Sequence, residues 1–340
     1  MHYGLTSEQQ QLREMVAKLL DDLASPRERY DTDVAPEVVT ATEQAVRSAL
    51  VESGIAALGV PESLGGPGGS CIDQVVVAEE LGAAPARMPF VSACLAATVL
   101  ERIPDADLAD CILVGRPPAV VLPGDGAVVL DAADATGALV FSNGVLHLVD
   151  GPAWEAARRA QPCIDRTRSI ATVTLSEPGR VLIDDPGTVG ALGESVRRKR
   201  GVLIAAESAG VARWCLDTAA EYARTRRQFG VPIGTFQAVK HSLADMLVRT
   251  ENARSAAWGG AWSIAHGWKD VAISSAMAKA VATENARLVA NAAIQIHGGI
   301  GVTWEHDLHL YLRRAKVNEM LFGTPAEHFA AVAALLLDEA

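Results

Sequence analysis

Three arginines precede a Phe-Gly pair in the C-terminal half of the chain. Arg224, Arg226 and Arg227 fall within four successive positions, and Phe229-Gly230 follow shortly after them. A guanidinium on a rigid element can donate two parallel hydrogen bonds to a phosphate, so Arg226 is a candidate ligand for a pyrophosphate. The alternative is that the arginines stabilise the negative C-terminal end of a helix. The residue types leave both interpretations open.

A glycine-rich segment closes a later helical pattern. It reads Gln295-Ile296-His297-Gly298-Gly299-Ile300-Gly301. One glycine is expected at the C-terminal end of a helix. Three glycines indicate that something approaches the backbone closely, either another helix or a flat ligand. A tight turn at the end of the helix is the alternative to a bound ligand, and both interpretations stay open at the level of sequence.

Other chemistries receive little support. The loop Gly65–Gly69 lacks the GxxxxGK[ST] spacing of a phosphate-binding loop. No GxSxG motif for a nucleophilic serine is present. His306 and His309 are not part of an HExxH motif, which favours surface side chains over a metal site. The five cysteines form no CxxC pair and suit free thiols; they are Cys71, Cys94, Cys111, Cys163 and Cys215.

The composition excludes some classes of protein. The 340 residues include 30 Lys+Arg and 41 Asp+Glu, a net charge of −11, so no basic excess exists to neutralise nucleic-acid phosphates. The chain is 49% apolar but only 5% aromatic, and Ala, Leu and Val predict closely packed helices. The N-terminus shows no signal-peptide pattern and no uncharged apolar run reaches about 18 residues. We expect a cytoplasmic protein without a membrane span.

The elements that must position the candidate residues form three regions. Helical periodicity, with Thr6 or Ser7 as the first cap, predicts helices at 6–25, 36–54, 71–83 and 89–102. Short β-branched runs then predict strands at 119–122, 127–130, 138–141, 145–149, 170–175 and 180–183. Turns are expected at 123–126, at Ser142-Asn143-Gly144 and at 177–179.

Helical patterns return after the strands. They predict helices at 189–228, 236–266, 270–297, 307–320 and 325–338. The predicted fold is therefore mainly α with a small β domain. Its expected parts are an N-terminal helical domain over 1–104, a shortened middle β domain over 105–187 and a C-terminal helical bundle over 188–340.

Together these segments resemble the acyl-CoA dehydrogenase family along nearly the whole chain. The segments that carry the resemblance are Arg226–Gly234, Phe236–Met246, Gln295–Gly301, Leu312–Lys316, Gly323-Thr324, Val60–Glu62, Gly65-Gly66 and Glu79–Gly82. The resemblance implies a helical domain, a middle β domain and a C-terminal four-helix bundle, which is the order predicted from periodicity.

The resemblance also implies FAD as cofactor and an acyl-CoA thioester as substrate. In the family a carboxylate removes the α-proton while a hydride passes from Cβ to the flavin. By resemblance, Arg226 meets the pyrophosphate and Phe229 and Gly230 shape its pocket. The resemblance also implies Gln237 and Thr324 as cofactor residues. It further implies that Gln295, Gly298 and Gly299 contact an FAD that is held by the neighbouring subunit.

The catalytic positions depart from the family pattern. Where many members have Tyr-Glu-Gly-Thr, this chain has Leu321-Phe322-Gly323-Thr324, and Phe322 cannot accept a proton. Some members place the base on a bundle helix, but the corresponding stretch 263–268 offers only His266. We therefore predict no catalytic residue in this chain.

The middle domain departs as well. A Thr-Glu-Pro…Gly-Ser segment usually lines the flavin ring, and none is found between residues 104 and 186. Asp165–Arg168 resembles a later segment of that domain. The flavin half of the site is thus predicted to be missing, while the adenosine half is present.

With these two losses the chain resembles the short, non-catalytic subunit of α2β2 acyl-CoA dehydrogenases, the kind found in actinobacterial breakdown of steroid side chains. The expected partner is a longer homologue that supplies the glutamate, and electron-transfer flavoprotein is a possible acceptor. Three alternatives stay open. They are a homomeric flavoenzyme with Glu207 or His266 as base, a flavin-free scaffold, and a secondary-metabolism enzyme acting on a carrier-bound acyl group.

Overall fold

The computed structural model describes residues 4–23, 36–124 and 128–338. These residues form two compact units. The first unit comprises the described residues of Met1–Thr42, Val75–Ala86 and Gly201–Ala340. The second unit comprises those of Glu43–Gln74 and Arg87–Arg200.

The N-terminal helices lie close to their predicted bounds. They are α1 (Ser7–Asp22), α2 (Pro36–Glu52), α3 (Cys71–Ala83) and α4 (Phe90–Leu100). Thr6 is the N-cap of α1, and it forms a capping box with Gln9. The predicted last residues of this helix, 24 and 25, lie outside the described ranges.

The sequence did not predict the next helix, α5 (Ala106–Leu113). Its cap is Asp105, whose carboxylate accepts a hydrogen bond from the Leu108 amide at 2.9 Å. The helix has only 8 residues, which are too few for a clear periodic signal. It lies at the start of the stretch 105–187, for which the sequence predicts a β domain.

Between residues 119 and 183 the six predicted strands are present in the described parts of the chain, together with one more. They are β1 (Ala119–Val121), β2 (Val128–Leu130), β3 (Gly137–Ser142), β4 (Val145–Asp150), β6 (Ile170–Val173) and β7 (Arg180–Ile183). A short helix, α6 (Gly151–Ala157), and strand β5 (Arg158–Gln161) were missed. Strand β5 reads Arg-Arg-Ala-Gln and lacks the β-branched residues that mark a strand.

The strands form two sheets in the second unit, in the orders β1-β3-β4-β7 and β2-β6-β5. The predicted hairpin at Ser142-Asn143-Gly144 joins β3 to β4, with left-handed φ values of 51° at Asn143 and 77° at Gly144. Trp154 is completely buried in a core to which both sheets contribute residues. Its indole N–H donates to the carbonyl of Ala135 at 2.8 Å. The predicted turn at 123–126 lies partly outside the described residues.

Five long or medium helices follow. They are α7 (Pro186–Thr225), α8 (Gln237–Ala265), α9 (Val271–His297), α10 (Leu308–Met320) and α11 (Pro325–Asp338). The predicted end of the first at residue 228 is wrong. Helix α7 stops at Thr225, and strands β8 (Arg227–Gln228) and β9 (Val231–Pro232) form a hairpin instead. The chain can reverse there because Phe229 and Gly230 both adopt left-handed φ values, 53° and 80°.

Close helix packing, predicted from the Ala-rich composition, is present in the first unit. A Cβ on Gly210 would lie 1.9 Å from the carbonyl oxygen of Glu79, and one on Gly82 would lie 2.0 Å from that of Glu207. Helices α3 and α7 therefore touch through their backbones, a distance that only glycine allows.

One stretch, Leu308–Leu337, is long and apolar enough to cross a membrane by composition, with a mean hydropathy of 1.5. It is not a single helix, because α10 ends at Met320 and α11 begins at Pro325. Such a stretch is weak evidence for a membrane span.

Candidate cofactor-binding site

Arg226 is the first residue beyond helix α7. Its amide N–H donates to the carbonyl of Tyr222 at 2.8 Å, which completes the last helical turn. Its side chain is exposed and has no hydrogen bond or ion pair with any residue that the structure describes. Arg224, by contrast, pairs with Glu221 at 3.1 Å, and Arg227 donates to the carbonyl of Gly230 at 3.3 Å. Of the three arginines, Arg226 is the one whose guanidinium is fully available.

The β8–β9 hairpin presents an aromatic ring to solvent. Phe229 is 93% exposed, and its ring meets only the edge of Phe236, at 6.1 Å between centroids. Gln237, also exposed, is the first residue of α8. Gly234 keeps this start of α8 against α7, since a Cβ there would lie 2.9 Å from the carbonyl of Ala223. Phe229 and the partly exposed Phe236 together form a small apolar surface at the hairpin.

The glycines that follow α9 are not needed for packing within the chain. Gly298 and Gly299 are exposed, and a Cβ on either would meet no described atom within 4 Å. Only Gly301 packs tightly, against His297 and Ile294. Gly298 ends α9 with a left-handed φ of 63°, so the tight helix turn accounts for this glycine, whereas no contact within the described residues accounts for Gly299. The open backbone suits a ligand.

The two segments meet at one end of the first unit. The ring of Tyr222, on the last turn of α7, stacks on the ring of His297, the last residue of α9, with centroids 4.2 Å apart. Tyr222 is four residues before Arg226, and His297 directly precedes Gly298. We call this region the helix-end cluster; its members are Arg226, Phe229, Gly230, Gln237, Gln295, Gly298 and Gly299.

His297 is held as a neutral ring. Its Nδ1 lies 2.8 Å from the carbonyl of Ala293, so that nitrogen is the protonated one and donates. Its Nε2 is buried and has no hydrogen-bond partner in the described parts of the chain. Burial lowers the pKa of His297, and the hydrogen bond to Ala293 only partly offsets this.

Thr324 lies in a second, separate region, the Phe322 loop (Leu321–Thr324). The ammonium of the buried Lys279 donates to the carbonyl of Gly323 at 2.9 Å. His328 Nε2 donates to the carbonyl of Phe322 at 3.0 Å. Thr324 is the cap of α11, and its N–H and hydroxyl both donate to Glu327, which lowers the pKa of that carboxyl.

The Phe322 loop is thus a firmly held turn without a carboxylate at its centre. Phe322 itself has a left-handed φ of 62°, an unfavourable conformation for a bulky residue. Lys279 and His297 lie 18 residues apart on α9, which is about 27 Å at about 1.5 Å per residue. The predicted cofactor residues of one chain therefore form two groups rather than one.

The alternative bases are engaged elsewhere. Glu207 is buried, with its carboxylate 3.5 Å from Arg314 in an ion pair. His266 is exposed at the end of α8 and stacks on Trp262 at 4.5 Å. The other histidine candidates also have structural roles, since His306 Nδ1 accepts a hydrogen bond from the Leu308 amide at 3.2 Å. Within the described ranges no group of side chains is arranged to hold a metal.

Comparison with known proteins finds two family descriptions that match most of the chain. The family description "Acyl-CoA dehydrogenase, N-terminal domain" matches residues 6–107, and "Acyl-CoA dehydrogenase, C-terminal domain" matches residues 194–337. Acyl-CoA dehydrogenase IpdE2 of Mycolicibacterium smegmatis is 35% identical over 333 residues, which cover 95% of this chain and 97% of the relative.

Solved structures share the fold. The ChsE4-ChsE5 complex from Mycobacterium tuberculosis superposes with a TM-score of 0.83 at 24% identity, covering 99% of both chains. The Tcur3481-Tcur3483 steroid ACAD superposes with a TM-score of 0.83 at 24% identity, covering 98% of both chains. At this identity they establish the acyl-CoA dehydrogenase fold.

The chain belongs to the acyl-CoA dehydrogenase family, a class of FAD-dependent oxidoreductases. Solved neighbours of the same fold include FAD complexes. The helix-end cluster fits one part of that cofactor. Arg226 offers an unpartnered guanidinium for a pyrophosphate, and Gly298 and Gly299 leave their backbone open to a flat ligand.

Tyr222 and His306 were missed as site residues by sequence reasoning. Tyr222 lies one helical turn before Arg226, a spacing that could have drawn attention to it. No local signal links His306 to His297, because their contact, 4.5 Å between ring centroids, depends on the fold of the segment between them.

Proposed function

We propose that this chain is the non-catalytic subunit of a heteromeric acyl-CoA dehydrogenase that desaturates an acyl-CoA thioester between Cα and Cβ. Its role is to bind the adenosine and pyrophosphate side of FAD, while a longer homologous partner supplies the catalytic glutamate. The carrying observation is the combination of Phe322 at the usual position of the base with an unpartnered Arg226.

Each member of the helix-end cluster has a distinct part in this proposal. Arg226 hydrogen-bonds the pyrophosphate, and Gly298 and Gly299, which lack side chains, leave room for the cofactor against their backbone. Gln237 and Gln295, both exposed beside these residues, offer amide groups to the adenosine portion. Phe229 and Gly230 form the apolar edge of the pocket.

The division of labour follows from what the residues can do. When bound, FAD accepts the hydride that leaves Cβ, while a carboxylate takes the α-proton and the Cα–Cβ double bond forms. Phe322 has no group that can take a proton. Glu207 is buried in an ion pair with Arg314, so moving it to a substrate would leave that guanidinium buried without its partner.

The separation of the two groups supports a cofactor shared between chains. The helix-end cluster and the Phe322 loop contact α9 at points about 27 Å apart. In the proposed assembly the helix-end cluster reaches an FAD held mainly by the partner. The Phe322 loop and Thr324 would border a site of this chain's own that lacks both the base and the usual flavin-ring segment.

The relatives support the class of partner and substrate. ChsE4-ChsE5 is a complex of two proteins, and Tcur3481-Tcur3483 is described as a steroid ACAD. By analogy we propose a longer acyl-CoA dehydrogenase as partner, a steroid-derived acyl-CoA as substrate, and an electron-transferring flavoprotein as electron acceptor.

Co-expression tests the proposal directly. The chain would be produced alone and together with the longer acyl-CoA dehydrogenase encoded beside it, and flavin content and desaturation of acyl-CoA would be measured. We expect stoichiometric FAD and turnover only for the co-purified pair. Full FAD loading and turnover by the chain alone would contradict a non-catalytic role.

A variant at the usual base position gives the matched control. In the pair, Phe322→Glu should leave turnover within about twofold, because the base comes from the partner. Replacing the partner's glutamate by glutamine should abolish turnover, as expected for loss of a general base. A pair whose turnover survives that replacement would locate the base elsewhere.

A further inference from the structure

A row of three rings in contact, of which the first two are stacked, runs between the two segments of the helix-end cluster. Tyr222 stacks on His297 at 4.2 Å with an interplanar angle of 22°, and His306 meets the same imidazole at 4.5 Å and 60°. We call Tyr222, His297 and His306 the three-ring stack. Its rings come from the last turn of α7, the last residue of α9 and the segment before α10, so it joins three places that are distant in sequence.

The stack is anchored in the core. Trp214, two turns earlier on α7, meets the edge of His306 at 6.3 Å and stacks on Tyr311 of α10 at 3.6 Å. Tyr311 is completely buried, and its hydroxyl donates to the carbonyl of Ala83 at 2.6 Å. The three-ring stack therefore extends a rigid aromatic row out to the surface where Arg226 and Gly298 lie.

The end of α7 depends on this stack for its position. The Arg226 amide is bonded to the carbonyl of Tyr222, and the carbonyl of Arg226 accepts from the Ile233 amide at 2.8 Å. Among the residues that the structure describes, none forms a hydrogen bond or an ion pair with the Arg226 side chain. The contacts that hold Tyr222 in place therefore also determine the position of the Arg226 backbone at the end of α7.

We propose that His297 is a positioning residue, whose ring, stacked on Tyr222 and in contact with His306, sets Arg226 at a fixed distance from the Gly298-Gly299 backbone. This inference rests on the proposed function in that its ligand is the FAD pyrophosphate. A dinucleotide that bridges an arginine and a glycine backbone needs both at one spacing. Holding that spacing before binding reduces the entropy lost on binding.

The chain contains a matched control for this proposal. His266 stacks on Trp262 at 4.5 Å and 22°, and its Nδ1 lies 2.9 Å from the carbonyl of Trp262, four residues earlier. His297 has the same angle to Tyr222 and the same four-residue hydrogen bond, to Ala293. The two histidines differ in burial, since His297 is buried and His266 is exposed, and in position, since His266 is far along the sequence from either segment of the helix-end cluster.

Hydrogen exchange on the full chain tests the positioning without any cofactor. In His297→Gln, which keeps a hydrogen-bonding side chain but no ring, we expect the amides of 226–233 to exchange about tenfold faster. His297→Phe keeps the ring and should preserve their protection. Tyr222→Leu removes the stack from its less buried side and should reproduce the Gln result. His266→Gln should leave 226–233 unchanged.

Unchanged protection of 226–233 in both His297→Gln and Tyr222→Leu would overturn the inference. So would an equal loss of protection in His266→Gln, because that would indicate general loosening. If His297→Gln fails to fold, Tyr222→Leu and His297→Phe still decide between the two outcomes, since one removes the stack and the other keeps it.

FAD titration of the co-purified pair separates this inference from the proposed function. We expect His297→Gln to weaken FAD binding about tenfold and His297→Phe to stay within about threefold of the unmodified chain. If the unmodified pair binds no FAD, the proposed function fails while the exchange result still tests the stack. If FAD binding is equal in all variants, the stack does not position a cofactor ligand.

Discussion

The arginines of the first unit fall into two groups with opposite surroundings. Arg213 donates to Glu80 at 2.7 Å and to Glu79 at 3.1 Å, and Arg254 lies 3.2 Å from Glu79. Arg226, in the helix-end cluster, has no acidic partner among the described residues. Burial alone would lower the pKa of Arg213, but its bonds to Glu80 and the charges of both carboxylates outweigh this and raise it.

The difference separates structural from binding charges. Glu79 and Glu80 are buried, and such carboxylates are tolerated only when their hydrogen-bonding capacity is used. The indole N–H of Trp258 donates a further bond to Glu79 at 3.0 Å. This network holds α3, α7 and α8 together. A guanidinium left exposed and unpartnered beside an open glycine backbone contributes nothing comparable to the fold, and is available to an anion.

The glycines show the same contrast. A Cβ on Gly210 would lie 1.9 Å from the carbonyl oxygen of Glu79, so packing requires glycine at this position. Gly299 has no neighbour within 4 Å of its missing Cβ and no left-handed φ. Nothing within the described residues requires glycine at position 299, which agrees with the cofactor contact proposed above.

The largest expected effect is on the buried network. Glu79→Ala removes the carboxylate that pairs with Arg213 and Arg254. We therefore expect the free energy of unfolding to fall by about 3 kcal/mol, a value that already allows for the partial exposure of the two arginines. Urea unfolding measures it. The control is Glu221→Ala, whose exposed pair with Arg224 should contribute at most about 1 kcal/mol. Equal losses in both variants would remove the contrast between the two kinds of arginine.

The converse effect is expected at Arg226. Arg226→Ala should weaken FAD binding by the co-purified pair by about 10- to 100-fold, since hydrogen bonds to charged groups contribute about 1.5–3 kcal/mol. The free energy of unfolding should change by no more than about 0.5 kcal/mol. Fluorescence titration and urea unfolding measure the two quantities. Arg224→Ala is the matched variant, and a loss of FAD affinity as large there would argue against a specific role for Arg226.

A pair of glycine variants sharpens the comparison. Gly210→Ala forces α3 and α7 apart and should lower the free energy of unfolding by about 1–3 kcal/mol or more. Gly299→Ala should leave stability unchanged within about 0.5 kcal/mol and weaken FAD binding about tenfold, because the new methyl occupies the ligand's approach. Unchanged FAD affinity in Gly299→Ala would show that the cofactor does not approach this backbone.

The smallest effect concerns pH. Because the folded-state pKa of His297 lies below the ordinary value of 6.5, the unfolded chain takes up its proton first as pH falls. Its contribution to stability is complete above pH 6.5 and is lost as pH falls through the folded-state value. Thermal unfolding between pH 7 and 5 should therefore show a smaller decline in His297→Phe than in the unmodified chain. Identical slopes would mean that His297 does not titrate in this way.

Most elements could be predicted from sequence because their signals are local. The helices α7 to α11 and six strands follow from periodicity and turn residues, and the Thr6 cap follows from its residue type. The β8–β9 hairpin could not be predicted, because it requires Phe229 in a left-handed conformation that its residue type disfavours. Helix α5 and strand β5 were too short or too polar to show a pattern.

Candidate cofactor residues could be named from the sequence, but their arrangement could not. The sequence identified Arg226, Phe229, Gln295 and the two open glycines as cofactor candidates and Phe322 as the departure from the family. The sequence could not show that Thr324 lies apart from the others. Lys279 contacts the Phe322 loop and His297 contacts the helix-end cluster, and the two residues lie about 27 Å apart along α9. These contacts are known only from the tertiary structure.

The amino-acid sequence by itself therefore determined the family, the order of its helices and strands, and the absence of a carboxylate at position 322. These properties depend on residue identity and on spacing along the chain. Only the tertiary structure decided which arginine lacks a partner, which glycines are open, and that Tyr222 and His306 enclose His297. Those properties depend on contacts between residues distant in sequence, whose side chains meet only after α7, α9 and α10 have packed.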